Sequence, residues 1–374
     1  MAPTSAPRAE RLLSLDVFRG VAIAAMILVN NPGTWRSVYA PLQHADWDGC
    51  TPTDLIFPFF LFIVGVAITL AFAAWTRQGG TKSQLFLKIV RRTLIIFALG
   101  IVVNGFPAFD WSEIRIPGVL QRVAACYFLA SIVVLTLDAR GQTATTVMLL
   151  IGYWAAMKLV PIPGHRTGIL KPGRNLEAYI DTALLHGHLL HRRWDPEGIL
   201  STLPATATTL AGVLTGHWLR LSKSPFVRLS GLFVAGNLCV ILGLVMDPWF
   251  PINKSLWTSS YVLFSAGMAL NCLGMCYWLV DIRQYRRWAT PFIIYGTNPI
   301  LAYLLSTLMA KAMILWRVTR PNGSSIILRR YIFESVFLPV ASPINASLLY
   351  AIAYVLFWLG IMAVLYRKRI FIRI

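Results

Sequence analysis

Long apolar segments recur along nearly the whole chain, and they restrict its fold more than any other feature. A helix of roughly 20 apolar residues is long enough to cross a lipid bilayer. Hydrocarbon offers the backbone no hydrogen-bonding partners, so spanning structures are helices or closed barrels, and continuous apolar runs favour helices. We therefore predict an all-α, polytopic membrane protein with about ten transmembrane helices, organised as a single domain over residues 1–374. The ten segments lie at approximately 15–32, 54–75, 89–105, 117–137, 145–161, 198–219, 226–246, 256–280, 291–314 and 346–366.

Two further segments need a separate interpretation. Residues 324–343 are apolar but include three charged side chains and Pro339, and charges inside a membrane are costly. We expect an interfacial or re-entrant helix there, and if it crossed the membrane the C-terminus would change sides. Residues 162–197 form the one long loop, predicted to lie outside the cytoplasm. Its HGHLLH motif offers three imidazoles, but the spacing is not that of a zinc site and no cysteine accompanies it, so we predict no metal.

The formal net charge is +19, which in a soluble protein would suggest a nucleic-acid partner. In a membrane protein, lysine and arginine concentrate in the short cytoplasmic loops. With ten spans, most basic residues of the short loops fall on the side that holds the termini. We therefore place both termini in the cytoplasm and predict no nucleic-acid partner.

A dense group of polar side chains lies in residues 29–58, which join the first two predicted spans. Imidazole is the side chain best suited to accept and return a proton near neutral pH, so His44 is a candidate general base. Asp48 or Asp54 could fix its tautomer and stabilise its charged form. Two simpler interpretations stay open: His44 could be a bystander in a loop, and Asp54 could serve only as a helix cap.

Other polar groups are predicted at the same membrane level as His44. Asn30 and Asn31 end the first span, where their amides could donate hydrogen bonds to a developing oxyanion. Trp47 flanks His44 in sequence. Asp195 and Glu197 open a later span, where acids are more often partners of the helix dipole than ligands. Lys254 also lies at a helix beginning, and capping explains it about as well as ligand contact does.

Basic side chains at the opposite level are candidates for binding phosphate. Arg19 follows Asp16 by three residues, so a structural ion pair is the alternative there. Arg122 is at a different level, roughly one and a half turns inside the fourth predicted span with no acid close in sequence. An intramembrane arginine indicates a functional site, and lining a polar cavity or contacting a phosphate or carbonyl are both open. Positive charge of an ordinary cytoplasmic loop is the stronger explanation for Lys88, Arg91 and Arg92, and helix capping explains Asn298 about as well as ligand contact does.

The blocks LLSLDVFRGVAIAAMILVNNPG and QHADWDGCTPTDLIFPFFLFIVG resemble the family of the lysosomal heparan-alpha-glucosaminide N-acetyltransferase and its bacterial relatives. Four later blocks are similar in the same order: RIPGVLQRVAACYF, WDPEGILSTL, NKSLWTSSYV and YGTNPILAY. The likeness covers most of the chain from Arg11 to about Tyr303. LDVFRG also resembles the opening of the wider acyltransferase-3 family, whose members O-acylate extracytoplasmic sugars.

The resemblance implies an enzyme that takes acetyl from cytosolic acetyl-CoA, its co-substrate, and delivers it to the amino group of a terminal glucosamine across the membrane. It implies that His44 is the active-site histidine and that Asn30 contacts the acetyl group or the sugar. A bacterial inner-membrane location and a homodimer are further expectations. Only some 14 residues precede the first predicted span, so we expect no large N-terminal luminal region, and the acceptor could differ from heparan sulfate.

Two other functions stay open at this point, a proton-coupled amino-sugar transporter and a sugar O-acyltransferase. Direct transfer and an acetyl-histidine intermediate are also both open. For the acetyltransferase, the predicted catalytic residues are His44, Asn30, Asp48 and Asp54. The predicted acetyl-CoA ligands are Arg19, Arg91, Arg92, Arg122 and Asn298. The predicted sugar ligands are Asn31, Trp47, Asp195, Glu197 and Lys254.

Overall fold

The computed structural model describes residues 12–164, 166–320 and 323–372, and most of them are helical. A helix lies in each of the ten predicted segments, and one segment holds the consecutive pair α10 and α11. The helices are α1 (Leu13–Asn30), α2 (Ile56–Arg77), α3 (Lys82–Gly105), α4 (Val119–Thr136), α5 (Ala139–Leu159), α6 (Leu176–Leu185), α7 (Thr202–Arg220), α8 (Pro225–Met246), α9 (Ser259–Cys276), α10 (Thr290–Thr297), α11 (Pro299–Leu315), α12 (Leu328–Ile332) and α13 (Pro343–Arg367).

Membrane-crossing length and apolarity belong to six helical segments of the part of the chain that the structure describes. They are α1, α2 with the 3₁₀ turn before it, α4, α8, α9 with the π turn after it, and α13. The pair α10 and α11, bent by 75°, makes a seventh if it is counted as one span. The chain is therefore a helical membrane protein. Ten spans stay a prediction, because α3, α5 and α7 fall short of the same criteria.

Segment 324–343 contains two short structures. A strand β2 (Ser325–Ile327) pairs antiparallel with β1 (Arg317–Thr319), a small exception to the predicted all-α fold. Helix α12 then continues into a π turn, Phe333–Phe337. Ten helical residues rise about 15 Å, half the thickness of the hydrocarbon layer. This length fits the predicted interfacial or re-entrant helix better than a crossing helix.

The connection between α1 and α2 is irregular apart from two 3₁₀ turns. Helix α1 ends where the Asn31 amide folds back and donates to the Ile27 carbonyl, 2.8 Å away, and Pro32 follows. The second turn, Pro52–Leu55, opens with a capping box in which Thr51 and Asp54 satisfy each other's backbone N–H groups. This turn leads directly into α2, so Asp54 is held at a fixed position on the helix.

Close backbone contacts hold α2 against α7. The position of a Cβ on Gly65 would overlap the Thr209 carbonyl, and a Cβ on Gly212 would overlap the Phe62 carbonyl. Any larger residue would push the two helices apart, since each glycine faces backbone of the other helix. Gly20 and Gly296 make a similar reciprocal contact between α1 and α10. Both helices that flank residues 31–51 are therefore packed backbone to backbone against a neighbour.

Candidate functional site

Polar side chains gather at the two opposite ends of the bundle. We call the end at which α1 ends and α2 begins the histidine end. The other end, at which α1 and α3 begin and α2 and α7 end, is the basic end. The sequence predicts candidate residues for both.

At the histidine end, His44 and Asp54 form a hydrogen-bonded pair. His44 Nδ1 lies 2.6 Å from Asp54 Oδ1, with the imidazole about half exposed and the carboxylate 1% exposed. The other carboxylate oxygen, Oδ2, accepts from the backbone N–H groups of Ala45 and Thr51, each at 3.0 Å. An ionised Asp54 can only accept, so His44 Nδ1 carries the proton and Nε2 is left with a lone pair for an incoming proton.

Lys254 lies beside this pair, although it comes from the loop before α9. Its Nζ is 3.0 Å from His44 Nδ1 and 3.4 Å from Asp54 Oδ1. Burial lowers the pKa of Lys254, and the Asp54 carboxylate opposes that effect. The lysine was predicted as a sugar ligand, and the structure places it next to the candidate base.

A cysteine also lies near the His44–Asp54 pair, and its protonation state excludes it as a nucleophile. Burial, and the nearby Asp54 carboxylate, raise the pKa of Cys50 to about 12. Only a thiolate is strongly nucleophilic, so Cys50 stays protonated and unreactive near neutral pH. His44 therefore stays the candidate reactive group of this segment.

The other candidates of residues 29–58 have different surroundings. Asp48 accepts from Asn253 Nδ2 at 3.1 Å, so of the two aspartates named for His44 it is Asp54 that contacts the imidazole. Asn31 is buried and its amide is used in ending α1. Asn30 is exposed at the last position of α1, which leaves its amide available for a ligand at the histidine end.

Trp47 anchors the long loop 162–197 to the segment that carries His44. Its indole Nε1 donates to the Leu170 carbonyl at 3.0 Å, and its ring packs edge to face on Trp194 with centroids 5.2 Å apart. The loop, which contains α6, thus covers part of the histidine end. A contact between Trp47 and a sugar stays a prediction.

Asp195 and Glu197, predicted sugar ligands, are both paired with Arg115. The guanidinium contacts both Asp195 oxygens, at 2.8 and 2.5 Å, and also the Glu197 carboxylate. Burial pushes the pKa of Asp195 upward, but the hydrogen bond and charge of Arg115 outweigh it and hold that pKa below its usual value. These contacts explain both acids as anchors of the loop, so their role as ligands stays a prediction.

Arg122 is 2% exposed and serves the same loop. It donates to the carbonyls of Pro196 and Gly198, at 2.9 and 3.1 Å, and to the Ser201 hydroxyl. Its guanidinium also lies over the Trp257 ring, 5.1 Å from the centroid. Because these partners account for an intramembrane arginine without any ligand, a contact between Arg122 and acetyl-CoA stays a prediction.

A cavity of about 490 Å³ opens at the basic end, and we call it the first cavity. Arg19 and Arg92 line it together with Tyr127. Arg19 contacts Asp16 at 3.2 Å, and Arg92 lies over the Tyr127 ring, 4.9 Å from its centroid. Both arginines were predicted to bind acetyl-CoA, and the structure brings them to one cavity.

The first cavity follows α2 toward the histidine end. Along that helix its lining runs from Phe72 to Phe60, which at 1.5 Å per residue is about 18 Å. From Phe60 to Asp54 only about 9 Å remain on the same scale. The first cavity therefore extends from the arginines in the direction of the His44–Asp54 pair and ends about 9 Å from it.

The remaining basic-end candidates do not line the first cavity. Arg91 is exposed, and Lys88 lies over the Trp75 ring, 3.5 Å from its centroid. Asn298 holds the C-terminal segment, donating to the Ile370 carbonyl at 2.9 Å and accepting from the Ile372 N–H at 2.8 Å. Ile372 lines the first cavity, so Asn298 contributes to the cavity by holding the segment that forms part of its wall.

A pair of acids in α6 is buried against the start of the segment leading to α7. Glu177 and Asp181 are 2% and 0% exposed. Asp181 Oδ1 accepts from the Ile199 N–H at 2.9 Å, and Oδ2 faces Gly198. Burial raises the pKa of Asp181 to about 6 and raises that of Glu177 well above its usual value. Asp195 adds to the upward shift at Asp181, and Arg122 opposes it.

We expect Asp181→Asn to flatten the pH dependence of stability. Because the folded-state pKa of Asp181 exceeds its unfolded value of 3.8, its contribution is fully present below that value and is lost as pH rises to about 6. The difference between these two pKa values corresponds to about 3 kcal/mol over the full titration, of which the interval tested below samples the larger part. Thermal unfolding at pH 4.5 and pH 7.5 should therefore differ less in the variant than in the wild type. Glu113→Gln, an exposed carboxylate, is the control, and an unchanged pH difference in Asp181→Asn would contradict the assignment.

Sequence reasoning missed three groups that the structure assembles. Arg115 was not singled out, although it lies just before the fourth predicted span, at the same membrane level as Asp195 and Glu197. The α6 acids lie four residues apart, which places them on one helix face. Phe72 and Tyr127 gave no signal, since apolar residues of a span look alike in sequence.

In the described residues no group of three or more His, Cys, Asp or Glu side chains could hold a metal, and the absence of a metal stays a prediction.

Fold and site together define a helical membrane protein with a His–Asp pair at one end and an arginine-lined cavity reaching toward it from the other. A sequence model described as heparan-alpha-glucosaminide N-acetyltransferase, catalytic, matches residues 11–244. That is more than half of the chain. The chain belongs to this catalytic family.

Two curated proteins give the same result. Heparan-alpha-glucosaminide N-acetyltransferase of Homo sapiens is 31% identical over 353 residues, and that of Mus musculus is 31% identical over 355 residues. Each alignment covers 79% of this chain but only 52% and 53% of the relatives. The chain thus spans about half the length of the curated relatives it matches.

Proposed function

We propose that the protein is a membrane acetyltransferase that moves acetyl from acetyl-CoA, bound at the basic end, to the amino group of a glucosamine-type sugar at the histidine end. The observation that carries the proposal is the first cavity, which is lined by Arg19 and Arg92 and extends along α2 as far as Phe60, on the side of the helix that leads to the His44–Asp54 pair. The names of the curated relatives support N-acetyl transfer to a glucosaminide.

The first cavity suits the donor because its polarity changes along its length. Arg19 and Arg92 provide planar donors for phosphate oxygens at the mouth. Farther in, Phe60, Val64 and Ile96 provide an apolar wall for the extended arm that carries the thioester. The phosphates of acetyl-CoA would stay at the basic end while the acetyl group lies near the histidine end. Predicted positive-inside charge would place the donor on the cytoplasmic side.

At the histidine end, His44 Nε2 would take a proton from the amino group of the sugar, and the nitrogen would attack the thioester carbonyl. The N–C bond forms, the C–S bond breaks, and the proton passes from His44 to the departing CoA thiolate. Asp54 would stabilise the imidazolium formed in between. Asn30 could donate to the oxyanion of the tetrahedral intermediate. An acetyl-histidine intermediate would use the same residues in two steps.

The test uses the full chain in sealed liposomes sorted by orientation, with radiolabelled acetyl-CoA on the side of the basic end and glucosamine on the other. We expect labelled N-acetylglucosamine on the glucosamine side. Passage of unmodified glucosamine with no label transfer would favour the transporter instead. Label on a hydroxyl group, with the amine unmodified, would favour the O-acyltransferase.

Arg92→Ala is expected to raise the KM for acetyl-CoA about tenfold and to leave kcat nearly unchanged, because Arg92 would contact the phosphates and not the reacting atoms. The measure is initial transfer rate against acetyl-CoA concentration. Arg91→Ala is the matched control, since both arginines are exposed but only Arg92 lines the first cavity. Equal effects of the two substitutions would place the nucleotide elsewhere.

A further inference from the structure

A second cavity, of about 530 Å³, opens at the basic end between the ends of four helices, α2, α3, α4 and α7. Its apolar wall includes Trp75, Leu85 and Val134. Leu137 also lines it and is itself 42% exposed. The second cavity is separate from the first, although Phe72 lines both. None of the chemistry proposed above uses it.

Cations surround this apolar wall. Arg77, Lys82 and Arg220 line the second cavity, and none of the ion pairs in the described ranges involves them. The single carboxylate in the lining, Asp138, is used as the N-cap of α5, where it accepts from the Gly141 N–H at 2.8 Å. The histidine of the lining, His217, contacts Gln142 Oε1 at 2.9 Å through Nε2.

Positive charge and apolar surface in one cavity restrict the ligand. The planar guanidinium groups of two arginines and the ammonium group of a lysine can donate hydrogen bonds to the oxygens of a phosphate. A small soluble anion would make no use of the apolar wall, of which Leu137 is exposed at the end of the helix bundle. A zwitterionic lipid would leave its own cation facing three others. Basic pockets of this kind, between transmembrane helices, suit anionic headgroups.

We propose that the second cavity binds an anionic phospholipid, with its phosphate on Arg77, Lys82 and Arg220. One acyl chain lies along Leu85, Val134 and Leu137, and the indole of Trp75 lies at the level of the headgroup, where tryptophan is enriched in membrane proteins.

The test measures lipid retention by native mass spectrometry on the full chain in detergent, with phosphatidylglycerol and phosphatidylcholine of identical acyl chains. We expect selective retention of phosphatidylglycerol and about tenfold weaker binding in the variant Arg77→Gln/Lys82→Gln/Arg220→Gln. The variant Arg91→Gln/Arg140→Gln/Arg287→Gln removes the same charge from arginines outside both cavities, and it should bind phosphatidylglycerol like the wild type. Equal loss in both triple variants would overturn the proposal, because net charge would then explain binding.

Two further arms distinguish the source of the phosphate. Glycerol 3-phosphate, which lacks acyl chains, should not displace the lipid. Displacement by adenosine 3′,5′-bisphosphate would overturn the proposal in favour of a nucleotide site. Ala73→Trp, which places a bulky side chain in the wall of the second cavity without changing charge, should also weaken retention if the site is this cavity. Normal retention in Ala73→Trp would place the lipid elsewhere.

Discussion

Replacing His44 with alanine is expected to lower acetyl transfer by about 10²- to 10⁴-fold, the usual contribution of a positioned general base. The loss should appear in kcat, while binding of acetyl-CoA at the basic end should stay close to that of the wild type. His44 is half exposed and its ring contacts Asp54 and Lys254, which still pair with each other in its absence, so we expect the fold to survive its removal. The measurements are label transfer in the liposome assay and acetyl-CoA binding at equilibrium.

Two variants make this result specific. Asp54→Asn should also lower kcat strongly, because an amide can present its NH₂ group to Nδ1 and so favour the wrong tautomer. His186→Ala removes an exposed imidazole of the loop 162–197 and should transfer acetyl at the wild-type rate. Normal turnover in His44→Ala would contradict a catalytic role for this residue, and it would also contradict the proposal that acetyl transfer takes place at the histidine end.

Arg115→Met should destabilise the protein by about 3–5 kcal/mol, the usual cost of removing one partner from a buried ion pair. The substitution leaves Asp195, with a fully buried side chain, and Glu197, with 11% exposure, without the shared guanidinium. The backbone N–H groups of Leu190 and Glu197 still donate to Asp195, but they do not neutralise its charge. A lower thermal midpoint and faster proteolysis within residues 162–197 would report the loss.

A compensating variant separates this explanation from the predicted role of the two acids as sugar ligands. Arg115→Met/Asp195→Asn/Glu197→Gln removes both charges and should recover much of the stability. Arg174→Met, an exposed arginine of the same loop, is the control and should have no effect. If Arg115→Met kept full stability and raised only the KM for the sugar, the ligand role would be favoured.

The positions of the helices could be predicted from the sequence because a membrane leaves the backbone few ways to satisfy its hydrogen bonds. Apolar runs of sufficient length have few alternatives to helix, and a helix lies in every predicted segment. The number of spans was harder, since α3 carries several basic residues and α10 and α11 are bent by 75°. Length and apolarity alone do not decide whether such helices cross.

The site was predictable where its parts are close in sequence. His44 and its carboxylate lie ten residues apart, yet both Asp48 and Asp54 fitted, and only the capping geometry of Thr51 and Asp54 selects the second. Lys254 comes from 210 residues away, so no spacing rule could join it to His44. Partners of Arg122 likewise lie more than 70 residues further on.

The reciprocal glycine contacts of α1 and α2 have a consequence for which donors fit. These contacts hold α2 against α7 and α1 against α10, so Arg19, on α1, and Asp54, at the start of α2, each keep a fixed position relative to a neighbouring helix. In the proposed mechanism, α1 and α2 would then set the distance between the phosphate site and the His44–Asp54 pair. A donor whose reactive carbon sits at the wrong distance from its phosphates would bind without reacting, so chain length, and not only chemical identity, would set which thioesters are used.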